Sequence, residues 1–191
     1  MQKTLVVDLD RCIGCKSCEV ACKQENGVPL GSYWNKVHQI GPRGKFPDLQ
    51  MHFLPVMCLQ CSKPECVKVC PTRASFINEE NIVLINKEKC IGCRYCMMAC
   101  PYEARTFNQE QKVVEKCTLC IHLLAIGEAP ACVRNCVGSA RFFGDLDDPD
   151  SDVAKALKKA GSDSVHSMPD AGNHPSSRYI MHRKTAIWKE S

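Results

Sequence analysis

Sixteen cysteines constrain this 191-residue chain more than any other feature, because they fall into four tight groups. One group, Cys90 to Pro101, reads C-I-G-C-R-Y-C-M-M-A-C-P: three cysteines at two-residue gaps, a fourth after three more residues, then proline. On a tight loop, three thiolates so spaced reach three irons of one 4Fe-4S cubane while backbone N–H groups turn inward toward the sulfides. The fourth cysteine stands on the next turn of chain and faces away, so it ligates a neighbouring cluster. One such block therefore implies a pair.

Cys12, Cys15, Cys18 and Cys22 repeat that spacing 78 residues earlier, and the copies align beyond the cysteines: Arg11 with Lys89, Ile13 with Ile91, Gly14 with Gly92, Ala21 with Ala99. The residues ahead of each block match as well, Val6 to Asp8 lying over Leu84 to Asn86, so the repeat comprises a strand, a cluster loop and a helix start. It departs at Lys23, which stands where Pro101 would be expected. The second block, Cys58, Cys61, Cys66 and Cys70 with Pro71, has S-K-P-E in its middle gap, an insert that bulges the loop. The fourth, Cys117, Cys120, Cys132 and Cys136, has eleven residues there. Cysteines two apart and repeated along a long chain suit metal wrapping rather than disulfides. The fourth block taken alone would also suit a four-cysteine zinc site.

Composition agrees that something other than side chains fills the interior. The hydrophobic fraction of 45% includes the sixteen cysteines, and without them about 70 apolar residues remain, thin for this length. The formal charge of +4 would ordinarily point to nucleic acid or anionic membranes. Four oxidised clusters at about −2 each reverse it to about −4. Basic residues flank every block: Arg11, Lys16 and Lys23; Lys63, Lys68 and Arg73; Lys89, Arg94 and Arg105; Lys116, Arg134 and Arg141. They read as compensation for cluster charge, the alternative being an ordinary solvated basic surface. There is no run of 18 apolar residues, so no direct membrane span is expected. The N-terminus lacks the features of a secretory signal, which predicts cytoplasmic residence unless a signal-bearing partner exports the folded complex.

Between the blocks the reading is coarser. Thr4 to Leu9 predicts a short strand, and Asn26 to Met57 a loop, a strand over Tyr33 to Ile40 and a second loop. Ser75 to Ile85 predicts a β-hairpin about N-E-E-N. Tyr33 and Trp34 are expected to cover a cluster or fill the small core rather than to anchor a partner. His38 and His52 are expected to be structural. Cys70, Cys100 and Cys136 are each followed four residues on by alanine, Ala74, Ala104 and Ala140, which suggests one turn packed under each cluster. Ser139 to Phe143 predicts a strand, and Ser151 caps a helix through Ala160 that Gly161 ends. Ser162 to Ser177 reads as an extended tail over a surface, and His166, His174 and His182 are not expected to bind metal.

The blocks resemble those of two-cluster bacterial ferredoxins, in which each loop gives three cysteines to one cluster and its last cysteine to the other. On that rule the adjacent blocks two and three pair, with Cys58, Cys61, Cys66 and Cys100 on one cluster and Cys70, Cys90, Cys93 and Cys96 on its neighbour. Blocks one and four then pair around them, with Cys12, Cys15, Cys18 and Cys136 on one cluster and Cys22, Cys117, Cys120 and Cys132 on the other. The expected fold is α+β: two interleaved ferredoxin-like modules of short strands, cluster loops and short helices. The outer module takes 1–50 plus 110–150, the inner 51–109, and a C-terminal helix and extended tail take 151–191.

The order of blocks, the C-x-x-C-x-x-x-x-C-x-x-x-C-P of the second, the eleven-residue gap of the fourth and the sequel F-F-G-D-L-D-D-P-D-S together resemble the four-cluster iron–sulfur subunits of the dimethyl sulfoxide reductase family. The resemblance covers residues 1 to about 150. It implies four 4Fe-4S clusters that wire a molybdopterin catalytic subunit to an electron donor or acceptor such as a quinol-reactive membrane subunit. It also implies that the Cys12 cluster lies nearest the catalytic partner. The chain has no nucleotide-binding glycine motif, no Ser-His-Asp order and no open metal position, so no catalytic site of its own is expected. The alternative is a polyferredoxin-like carrier or hydrogenase-linked subunit.

Overall fold

The computed structural model describes residues 1–182. β1 (Lys3–Asp8) is its central strand, with Leu5, Val6 and Val7 fully buried. A strand that carries apolar side chains on both faces must be covered on both, and here the two covers differ. Leu5 and Val7 face the main core, where they meet Trp34, Met57, Leu119, Tyr179 and the cysteines Cys18, Cys22, Cys117 and Cys132. Val6 faces the other way, onto Val153 and Ile180.

β8 (Arg141–Asp145) pairs antiparallel with one edge of β1 and β10 (Arg178–Ile180) pairs parallel with the other, β9 (Val165–His166) completing the order β8-β1-β10-β9. The stretch 162–177 expected to run over a surface thus contains β9, and directly after it the tail supplies a further sheet strand, β10. Its Tyr179 is wholly buried and donates from its hydroxyl to the Pro55 carbonyl at 2.9 Å. A three-residue strand gives no periodicity to read, and the pairing that makes it a strand lies some 170 residues away in sequence. The rest of the expected 151–191 tail, residues 183–191, lies outside the described residues. On the Val6 side, α6 (Asp152–Ala160) lays Ala156, Leu157 and Ala160 around Val153 and Ile180. Ser151 Oγ accepts from the Ala154 N–H at 3.1 Å, and Gly161, at φ +77°, ends the helix with its N–H on the Leu157 carbonyl. Both ends agree with the sequence.

Three two-stranded ribbons complete the sheets. β2 (Asn35–Arg43) pairs with β3 (Gln50–Met57), the second strand occupying what was read as a loop. Leu54 and Met57 are buried on it; Pro55 and the flanking turn residues hid the pattern. β4 (Ser75–Ile77) and β5 (Val83–Ile85) form the expected hairpin, and β6 (Arg105–Asn108) with β7 (Val113–Lys116) a further one. α1 (Ser17–Asn26) packs on α5 (Ala131–Arg134), and α2 (Glu65–Lys68) on α3 (Tyr95–Met98); α4 (Ile121–Leu124) follows the Cys120 loop. Except for α1 and α6, these helices are single turns. No helix among the described residues is long and apolar enough to cross a membrane.

Candidate iron–sulfur sites

The four cysteine loops share one backbone device. The residue two places after the first cysteine has positive φ in every block: Gly14 (+67°), Gln60 (+48°), Gly92 (+69°) and Leu119 (+56°). That left-handed step turns successive N–H groups to the inside of the loop, the concave arrangement that receives anions. Glycine is required where space is also short: a Cβ on Gly92 would lie 2.4 Å from the Lys112 carbonyl oxygen. A second device follows the last cysteine of blocks two, three and four. Arg73, Glu103 and Ser139, each at positive φ, donate from their N–H to the carbonyls of Cys70, Cys100 and Cys136, and the alanine that comes next is buried. The recurrent alanine does mark one recurrent turn. From it the chain enters β4, β6 and β8.

These loops bring the cysteines together in fours. Cys12, Cys15, Cys18 and Cys136 line one cavity. Cys22, Cys117, Cys120 and Cys132 line a second, and Cys70, Cys90, Cys93 and Cys96 a third. Cys58, Cys61 and Cys100 pack together around Leu59, Tyr102 and Ala104, and Cys66 lies within electrostatic reach of Cys58, Cys61 and Cys100. The same grouping of four thiols recurs behind unlike loops, which fits one repeated group. All sixteen cysteines are free. Among the described residues no three Cys, His, Asp or Glu groups converge as ligands of a single ion. His38, His52, His166, His174 and His182 line none of these three cavities.

Buried thiols resist ionisation. Desolvation, then neighbouring thiols, push Cys61 and Cys117 up to about 12 and raise Cys22 further still. Cys15 is exposed and lies below the ordinary range, because the Ser17 hydroxyl and N–H bond its sulfur. As ligands the buried thiols must be thiolates, so they need positive charge and hydrogen-bond donors around them. Donors are present. Asn173 Nδ2 donates to Cys61 Sγ at 2.9 Å, Arg105 Nη2 to Cys66 Sγ at 2.7 Å, and the Ala140 N–H to Cys136 Sγ at 3.2 Å. Four buried donors among the described residues have no partner: Trp34 Nε1, Asn35 Nδ2, Arg105 Nη1 and Arg141 Nη1. Every one of these residues lines a cysteine cavity. Unsatisfied buried donors are rare, and gathered at thiol-lined spaces they fit a group rich in sulfide acceptors.

Trp34 thus both fills the core and walls the Cys22 cavity. Tyr33 is exposed instead, its ring under Lys23 Nζ at 4.2 Å. Asn173 was not anticipated. It belongs to the tail, which bonds back along block two through Ser62 and Lys63 N–H to the carbonyls of His174 and Asn173, and Tyr102 holds it with a hydroxyl that also reaches the Pro169 carbonyl. No local signal marks an asparagine more than a hundred residues from its cysteine.

A family described as 4Fe-4S dicluster domain matches residues 49–146, and a second of the same description matches residues 11–74. Among curated proteins the chain is similar to the B subunit of the Allochromatium vinosum sulfite dehydrogenase, at 40% identity over 97% of this chain and 85% of the relative. It is similar also to the B component of the Wolinella succinogenes polysulfide reductase, at 44% identity over 80% and 81%. The arsenate respiratory reductase iron–sulfur subunit of a Shewanella strain is 33% identical over 94% and 96%.

Proposed function

Since the chain belongs to the iron–sulfur electron-transfer subunits of the dimethyl sulfoxide reductase family of molybdopterin oxidoreductases, we propose that it carries four 4Fe-4S clusters in two interleaved modules. The ligand sets are Cys12, Cys15, Cys18 and Cys136; Cys22, Cys117, Cys120 and Cys132; Cys58, Cys61, Cys66 and Cys100; and Cys70, Cys90, Cys93 and Cys96. Blocks one and four, within 1–50 plus 110–150, make the outer module, and blocks two and three, within 51–109, the inner. The observation that carries this reading is the gathering of the cysteines in fours, three of the sets lining cavities walled by unpartnered donors. The pairing of α1 with α5 and of α2 with α3 supports the modules.

When bound, each cubane supplies a one-electron site. The protein's part is to hold the thiolates, donate hydrogen bonds to sulfur, exclude water and lead from one cluster to the next. Cys117 lies within electrostatic reach of Cys58, which joins the outer module to the inner. Only Cys15 and Cys93 among the sixteen cysteines are exposed, one in the first set and one in the last. Apolar side chains stand out beside each, Ile13 at one and Ile91, Tyr95 and Met98 at the other. The Cys15 end would face a molybdopterin catalytic subunit and the Cys93 end a second redox partner, such as a quinol-reactive membrane subunit.

The test is anaerobic isolation of the native complex with iron, sulfide, molybdenum and tungsten assayed. About sixteen irons on this subunit beside a molybdopterin protein are expected. The same iron without molybdenum or tungsten would move the assignment to a carrier or hydrogenase-linked subunit, and zinc in place of iron would end both.

A further inference from the structure

Twelve lysines and arginines flank the cysteine blocks, and the fold separates them into two kinds. Nine reach solvent at least in part; Arg105, Lys116 and Arg141 are 6%, 2% and 5% exposed. A cation withdrawn from water needs an anion nearby, yet among the described residues none of the three bonds a carboxylate. Arg105 Nη2 donates to Cys66 Sγ and to Ser75 Oγ at 2.9 Å. Lys116 Nζ donates to the carbonyls of Val83 and Cys117, and Arg141 Nη2 to Asn35 Oδ1 at 2.7 Å.

Their positions are ordered. Arg141 lines both the Cys12 cavity and the Cys22 cavity. Arg105 lines the Cys70 cavity while its guanidinium holds Cys66 of the Cys58 set. Lys116 sits where the modules meet, bonded to the backbone of Cys117 and of β5, and its charge acts on the thiols of both Cys117 and Cys66. The sequence prepares two of these sites in the same way: Arg105 and Arg141 each stand five residues after the last cysteine of their block and open the strand that follows, where block two has Ser75.

We propose that Arg141, Lys116 and Arg105 are the positioning cations of the electron path, one between each successive pair of clusters, each tuning the potentials of both its neighbours. The inference rests on the four ligand sets proposed above. Reduction of a cluster adds one negative charge, and a fixed cation beside it in a poorly polarisable interior favours the reduced form. Loss of the cation therefore lowers the midpoint potentials of the two clusters that flank it and leaves the other two in place.

The test uses the cluster-loaded subunit within its complex, with Arg141→Gln, Lys116→Met and Arg105→Gln followed by anaerobic redox titration monitored by electron paramagnetic resonance. Each variant is expected to lower two of the four potentials. The overlaps are diagnostic without prior assignment of signals: the Arg141 and Lys116 variants share one affected cluster, the Lys116 and Arg105 variants share another, and the two arginine variants share none. Arg141→Lys and Arg105→Lys keep the charge and are expected to hold potentials near those of the unaltered protein. Fully loaded variants with four unchanged potentials, or with shifts spread over all four, overturn the proposal. So does loss of iron in the glutamine and lysine variants alike, which would make these residues builders of the sites. Absence of four clusters from the unaltered protein would instead overturn the ligand sets themselves.

Discussion

The two halves that bind the cysteines are built unequally. The outer half keeps β1 and β8 in one sheet with β10 of the C-terminal tail, and its cysteines Cys18, Cys22, Cys117 and Cys132 are buried in the same core as Leu5, Val7, Trp34 and Tyr179. The inner half lends Leu54, Met57 and Ile82 to that core and keeps for itself the β4–β5 ribbon, one strand of the β6–β7 ribbon, two one-turn helices and a patch of Leu59, Tyr102 and Ala104, with most of its cysteines partly exposed and Cys93 exposed. Apolar burial drives folding roughly in proportion to area. The outer half therefore has a protein core that its clusters complete, whereas in the inner half the clusters stand in for one.

That contrast makes cluster removal the most severe test. Chelation of iron under anaerobic conditions, followed by amide hydrogen exchange, should abolish protection over residues 58–108 while β1, β8 and β10 keep measurable protection. Equal collapse of both halves would break the comparison. Next in size, Tyr179→Ala empties a fully buried site in the outer core and removes the bond to Pro55, an expected loss of about 3–5 kcal/mol in anaerobic denaturant unfolding.

The repeat allows a matched pair. Gly14→Ala and Gly92→Ala both place a side chain at positive φ, a cost of about 1–2 kcal/mol each. The new methyl of the first meets the Phe53 ring, which can swing, and that of the second meets a backbone carbonyl, which cannot. Gly92→Ala should thus retain less iron per chain after anaerobic purification, and the reverse order would show that the outer loop is the stiffer. Smallest is Tyr102→Phe, which removes a hydroxyl bonded to the Pro169 carbonyl and to Asn173 and should cost about 1 kcal/mol. Its readout is a lowered denaturation midpoint, with exchange quickened around residues 169–174.

Cysteine spacing is legible because a cubane demands it locally: three ligands on one loop can only be a few residues apart. From it alone came the four loops, the 78-residue repeat, the kind of cofactor and, through the recurrent alanines, the turn that leads into β4, β6 and β8. The capped helix α6 and the β4–β5 hairpin were legible for the same reason, since a Ser cap, a terminal glycine and a tight turn act within a few residues. Other features depend on partners distant in the chain. β3 carries a proline and lacks a clean alternation, β10 is three residues long, and both become strands only when β2 and β1 pair with them. Arg105 and Arg141 share a place five residues after a block's last cysteine, yet nothing in E-A-R, E-K-C or S-A-R says that they and Lys116 are buried while the other nine basic residues reach solvent. Only the tertiary structure decided which cations and which asparagine face sulfur, because charge compensation and hydrogen bonding depend on distance in space, and distance in the sequence does not report it.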